Sequence, residues 1–114
     1  MDMNAIGESL VDVDDALKRI GGNKDLYKRL LGRFVTGNHL DALDNAIQGG
    51  NPEEMERMAH TLKGVCANLS LVKLAGVSAD LEQLVKAGGD YSACFADLKL
   101  TYDATLAKIA EIVG

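Results

Sequence analysis

The sequence predicts an all-α protein: an antiparallel up-down four-helix bundle with a short extra N-terminal helix. Three observations point there. Leucine and alanine together number 30, against 13 for valine and isoleucine, a balance that favours helix over strand. Apolar residues recur at helical spacing in each long segment, and no alternating strand pattern survives. Finally, Gly21-Gly22, Gly49-Gly50 and Gly88-Gly89 fall between those segments, and each pair is followed by a cap-type residue, Asn23, Asn51 or Asp90. Glycine just past a helix end is a stop signal, and Asn or Asp accepts hydrogen bonds from the orphan N–H groups of the next helix.

The elements then follow in order. Asp12 to Ile20 reads as a short helix with Ala16, Leu17 and Ile20 inward. Asn23 to Gln48 reads as one long helix with Tyr27, Leu30, Leu31 and Phe34 on a stripe. A kink at Thr36-Gly37-Asn38 is expected, because Leu40, Leu43 and Ile47 form a stripe in a new phase. The third element runs from Pro52 to Leu69. Asn51 caps it, Pro52 takes the first helical position, and Glu54 stands where a capping box places its carboxylate. Ser70 is expected to cap a fourth helix, Leu71 to Ala87. Tyr91 to Val113 is the last, with Cys94, Phe95, Leu98, Tyr102, Thr105, Leu106, Ile109 and Val113 at helical spacing.

At 114 residues, with 47% hydrophobic and 25% charged residues, the chain is expected to form one globular domain over residues 1–114, with 1–11 as a loose lead-in. A net charge of −5 repels a phosphate backbone, so nucleic acid is not an expected partner. No apolar run is long enough to span a membrane. Met1-Asp2-Met3-Asn4 lacks the basic start and apolar stretch of a signal peptide, so the expected compartment is the cytoplasm. There Cys66 and Cys94 are expected to be reduced core thiols.

The chemistry concentrates on the third helix. Met55, Met58, Ala59, Leu62, Val65, Cys66 and Leu69 crowd one arc of its wheel. His60 lies about 160° from the centre of that arc and points to water. Gly64 follows one turn later, and Ala67 a turn beyond. A glycine inside a helix costs about 1 kcal/mol relative to alanine, so Gly64 marks a surface that something approaches closely. Lys63 is within side-chain reach of His60 and would steady a dianionic group once it is attached to the ring. The plainer reading is an ordinary solvated histidine beside a lysine.

The run Ala59-His60-Thr61-Leu62-Lys63-Gly64-Val65-Cys66-Ala67-Asn68-Leu69 resembles the signature of histidine phosphotransfer (HPt) domains of two-component phosphorelays. The family pattern is close to A-H-x-L-K-G-x-x-x-N-I/L-G. Every fixed position matches except the last, where Ser70 replaces glycine. Leu17 to Asn23, with Leu26-Tyr27, Leu30-Leu31 and Phe34, resembles the family's N-terminal half, and Ala79-Asp80-Leu81-Glu82 its next helix. The resemblance implies that His60 accepts a phosphoryl group through Nε2 and that Lys63 holds its oxygens. It also implies that Gly64 and Ala67 leave room for the docking receiver, and that Asn68 bonds to backbone near the helix end. Family members often carry glutamine on the next helix near the histidine. Here that position is Glu82, which would repel a phosphoryl group but could orient Nδ1–H. Lys86, one turn on, would add positive charge at the rim or pair with Glu82.

The implied activity is that of a phosphocarrier, not a kinase: no G-x-x-x-x-G-K-S/T loop is available for ATP. The implied partners are response-regulator receiver domains or a hybrid sensor histidine kinase. The chain itself, a monomer, would need no cofactor, since the Mg²⁺ of such transfers belongs to the receiver. A carboxylate-bridged metal bundle needs Glu-x-x-His on paired helices, whereas Glu56 precedes His60 by four and His39 has no companion histidine. The other alternative is a non-catalytic helical module that binds a receiver with His60 incidental. His39 reads as a surface or capping residue near the kink, and Met55 and Met58 as core filler.

Overall fold

The computed structural model describes residues 10–114, so residues 1–9 of the expected lead-in lie outside the described residues. The described residues form six helices and no strand: α1 Val13–Arg19, α2 Lys24–Thr36, α3 His39–Gly49, α4 Pro52–Asn68, α5 Val72–Lys86 and α6 Ser92–Val113. Leu10 and Val11 are not a loose lead-in. Val11 is buried in the core, and the Asp12 N–H donates to the Ser70 carbonyl at 2.9 Å.

The helix starts follow the expected chemistry in two places. Asn23 accepts from the Leu26 N–H, and Asn51 accepts from the N–H groups of Glu53 and Glu54. No capping box forms, because the Glu54 carboxylate is drawn to the Arg57 guanidinium instead. Asp90 accepts from the Ser92 N–H from just outside α6.

The expected single long helix is broken into α2 and α3. Asn38 takes a left-handed conformation with φ of 52°, which ends the α2 hydrogen-bond ladder. Gly37 is needed beside it: a Cβ there would lie 2.9 Å from His39 Nε2 and 3.3 Å from the Arg33 carbonyl. His39 reaches back across the break and stacks on Phe34, with centroids 5.1 Å apart and planes inclined by 23°. Burial pushes its imidazole pKa down. It is therefore a packing residue at the break.

The turn from α4 to α5 also differs from expectation. Ser70 does not cap α5; Leu71 occupies the cap position without a side-chain bond. Ser70 ends α4 instead, in the left-handed region at φ 56°. The Leu71 N–H donates to the Cys66 carbonyl and the Ser70 N–H to Ala67, the paired bonds that close a helix through a left-handed residue. Gly88 fills the same role after α5, at φ 70°. Serine bears a cost glycine does not, and its hydroxyl compensates by donating to Asp15 Oδ2 at 2.7 Å. The buried Tyr27 hydroxyl donates to the adjacent Leu69 carbonyl, so α1 and α2 both fasten this turn.

Leu31, Leu43, Leu62, Leu74, Leu81, Leu98 and Ile109 fill a continuous core drawn from α2 to α6. Each buried leucine contributes about 1.5–3 kcal/mol relative to exposure. Cys66 and Cys94 are free thiols, and burial raises the Cys66 pKa to about 12. Among the described residues no helix is long and apolar enough to cross a membrane. The closest packing is between α4 and α5. Their side-chain pairs, Glu56 with Lys86 and His60 with Glu82, run in opposite chain directions, so this pair is antiparallel.

Candidate functional site

The core face of α4 buries Met55, Ala59, Leu62 and Cys66, which fixes the helix rotation and turns His60 outward. The His60 side chain is 66% exposed. Beneath it stands Glu82 of α5, whose side chain is 4% exposed. A carboxylate is seldom so buried unless it is paired, and Glu82 is paired three ways. Oε2 lies 3.0 Å from His60 Nδ1 and 3.4 Å from Lys86 Nζ, and Oε1 lies 2.9 Å from Lys63 Nζ. The Lys63 contact is an ion pair without hydrogen-bond alignment.

Two opposed influences act on the Glu82 carboxyl. Burial, the largest single one, pushes its pKa up; the polar and charge interactions with Lys63, His60 and Lys86 push it down and together prevail. Glu82 is thus an ionised acceptor at neutral pH. An ionised carboxylate cannot donate, so Nδ1 carries the proton. In the neutral form of the ring the lone pair is then on Nε2.

The remaining expected site residues divide. Gly64 is exposed, and a Cβ there would meet nothing within 4 Å. Ala67 is exposed on the same side. Lys63 and Lys86 face Glu82, and Lys86 also lies 4.0 Å from Glu56. Asn68 is exposed and its side chain makes no hydrogen bond to the described residues. The expected bond to backbone is absent because the Ser70 turn already satisfies the carbonyls at the helix end. Among the described residues no group of three His, Cys, Asp or Glu could hold a metal ion.

Two grooves border α4, and only the first has His60 in its lining. The first, of about 750 Å³, is lined by Asn51, Glu53, Glu54, Glu56, Arg57 and the Glu82–Lys86 pair. The other, of about 530 Å³, runs between α1, α2, the start of α3 and α4. Sequence reasoning did not find the second groove, because its residues reach it from four separate elements. The one available signal was the change of apolar phase at Gly37.

A small, exposed, nucleophilic nitrogen beside two lysines and an open glycine surface suits transfer of an anionic group from a docked macromolecule. A family model described as Hpt domain matches residues 36–111, more than half of the chain. Neither the comparison with curated proteins nor that with solved structures found a match.

Proposed function

The chain belongs to the Hpt domain family, and from that premise we propose that it reversibly accepts a phosphoryl group on His60 from a receiver-domain aspartate and passes it to another receiver. Hpt domains carry out histidine phosphotransfer in two-component signalling and interact with receiver domains. The observation that carries the assignment to this residue is the 3.0 Å contact between His60 Nδ1 and the buried Glu82 carboxylate.

In this reading the lone pair of His60 Nε2 attacks phosphorus in line. The N–P bond forms as the bond from phosphorus to the aspartyl oxygen breaks, and the aspartate leaves as a carboxylate. The Nδ1 proton stays on the ring, and Glu82 offsets the positive charge the ring acquires. The Mg²⁺ of the transfer sits in the receiver's acidic pocket. Lys63 and Lys86 are held against Glu82 before transfer and turn to the phosphoryl oxygens as they arrive. Glu82 is a positioning residue, so its carboxylate acts on the ring and not on the phosphoryl group. Gly64 and Ala67 give the receiver a flat approach.

The same reading treats residues 1–114 as one domain, a free-standing cytoplasmic monomer or the end of a hybrid sensor kinase. Its up-down four-helix bundle comprises α2 with α3, α4, α5 and α6, and α1 is the extra helix. The test is incubation with a labelled, phosphorylated receiver domain. Label moves to the native chain and not to His60→Gln. Receiver binding that is indifferent to His60→Gln, with no label transferred, would instead establish the non-catalytic module.

A further inference from the structure

We propose that Ser78 is a positioning residue for the phosphotransfer site: its hydroxyl donates to Glu82 Oε1 when Lys63 turns from that oxygen to the phosphoryl group. The proposal rests on the phosphotransfer reading for why Lys63 moves, but the relation between Ser78 and Glu82 stands on its own. The two residues are one turn apart on α5, and both are buried. Among the described residues, the buried side-chain polar atoms without a hydrogen bond are Ser78 Oγ and Glu82 Oε1. The first is a hydroxyl with a proton to give, and the second is a carboxylate oxygen that only accepts.

Packing alone does not account for a serine here. A buried serine or threonine on a helix commonly returns its hydroxyl to the carbonyl four residues back. Thr105 does so on α6, donating to the Thr101 carbonyl at 2.7 Å, and Ser78 does not. Alanine would let α4 and α5 approach as closely and would bury no hydroxyl without a partner. Side chains on a helix lean toward its N-terminus, so the turn that Glu82 covers is the one carrying Ser78. Glu82 Oε2 meets His60 and Lys86, whereas Oε1 meets Lys63, 2.9 Å away.

The hydroxyl is needed while the lysines are elsewhere. The side chains of Lys63 and Lys86 are 35% and 45% exposed, so both ammonium groups can swing to a phosphoryl group on His60. Glu82 Oε2 then keeps the His60 N–H, and Oε1 loses the cation it had. A buried carboxylate oxygen without a partner is costly and favours the protonated acid. Residues at i and i+4 on a helix are neighbours, so the Ser78 Oγ–H can rotate onto Oε1 and keep Glu82 ionised. The proton stays on Oγ, and no covalent bond forms or breaks. Glu82 thereby holds the Nδ1 proton throughout transfer, and Ser78 acts on the ring only through Glu82.

The carboxyl ¹³C resonance of Glu82, followed against pH, tests this without a partner. Ser78→Ala alone leaves the Glu82 titration where it is in the native chain, because Lys63 holds Oε1. In a Lys63→Met background Oε1 has no lysine, and adding Ser78→Ala raises the proton affinity of Glu82 about tenfold, the worth of one hydrogen bond to a charged group. Transfer from a phosphorylated receiver domain reads the consequence. Ser78→Ala lowers the maximal rate about tenfold and leaves KM near native, since Ser78 is buried and out of a receiver's reach. Its Tm stays at or above native, because a hydroxyl without a partner has been removed; a merely structural serine would lower Tm and rate together. Titrations shifted equally in both backgrounds, or in neither, would overturn the proposal, as would a native maximal rate in Ser78→Ala. Failure of phosphoramidate to label the native chain would defeat the phosphotransfer reading instead, and the Glu82 titrations would still decide the role of Ser78.

Discussion

Glu82 Oε2 lies 3.0 Å from His60 Nδ1, yet the Glu82 side chain is 4% exposed and that of His60 is 66% exposed. One partner is locked in the interior and the other presents its far nitrogen to solvent. The contact converts the rigidity of the α4–α5 packing into a defined orientation of a surface ring. A flexible surface partner would leave the ring free to rotate and to exchange tautomers.

Replacing Glu82 separates orientation from charge. Glu82→Gln keeps an oxygen that can accept from Nδ1–H, so transfer should slow about tenfold. Glu82→Ala removes the acceptor and should slow it about a hundredfold, the upper end of the loss seen when the carboxylate behind a metal-bound histidine is removed. Rapid-quench transfer from a phosphorylated receiver measures both. Equal rates in the two variants would mean that Glu82 acts through charge alone.

The same carboxylate makes stability depend on pH. Its pKa in the folded state lies below the ordinary 4.5, so the folded state favours the ionised form. That stabilisation is complete above about pH 4.5 and is lost as pH falls through the folded value. Asp15, held below its ordinary 3.8 first by the Ser70 hydroxyl and then by Arg19, acts with the same sign at lower pH. Tm should therefore fall on acidification, and Glu82→Gln should flatten the upper part of the fall. A Glu82→Gln profile that superimposes on the native one would contradict this.

Gly64 carries opposite predictions for fold and function. A Cβ there meets nothing within 4 Å, so Gly64→Ala should stabilise the helix by about 1 kcal/mol. Gly64→Gln should slow transfer at least tenfold by obstructing the approach over His60, with the helical circular dichroism unchanged. Unchanged transfer in Gly64→Gln would show that nothing docks over this turn.

Ser70 tests how the left-handed turn is maintained. Ser70→Gly removes a backbone cost of about 1–2 kcal/mol while giving up the bond to Asp15. Ser70→Ala keeps the cost and loses the bond. Denaturant unfolding should place Ser70→Gly near the native chain and Ser70→Ala clearly below both. Ser70→Ala matching the native chain would show that the hydroxyl contributes nothing.

What could be read from the sequence was whatever depends on one helix at a time. The outward phase of His60, Gly64 and Ala67 follows from the apolar arc of α4 alone, as do the Asn23 and Asn51 caps. What depends on two elements meeting was legible only through the resemblance, which put Glu82 near His60 Nδ1 and Lys86 beside it. The burial of Glu82 was not, since carboxylates are rarely buried. Only the packing of α5 on α4 shows that two lysines and the His60 ring hold it inside. Lys63 likewise reads as free for a phosphoryl group until its pairing with Glu82 is seen. The α2–α3 break was legible as a change of stripe, but a kink and a break differ only in the left-handed Asn38. Ser70 misled because serine favours caps, whereas its backbone occupies the position the family pattern gives to glycine.

The most direct measurement of the central claim locates the phosphoryl group after transfer from a phosphorylated receiver. Nitrogen-resolved NMR of the His60 ring, with the chain ¹⁵N-labelled at histidine, distinguishes the two nitrogens. Phosphorus is expected on His60 Nε2, with Nδ1 still protonated and the adduct labile in acid but stable in base. Phosphorus on Nδ1, on another residue, or on no residue of the chain would contradict it.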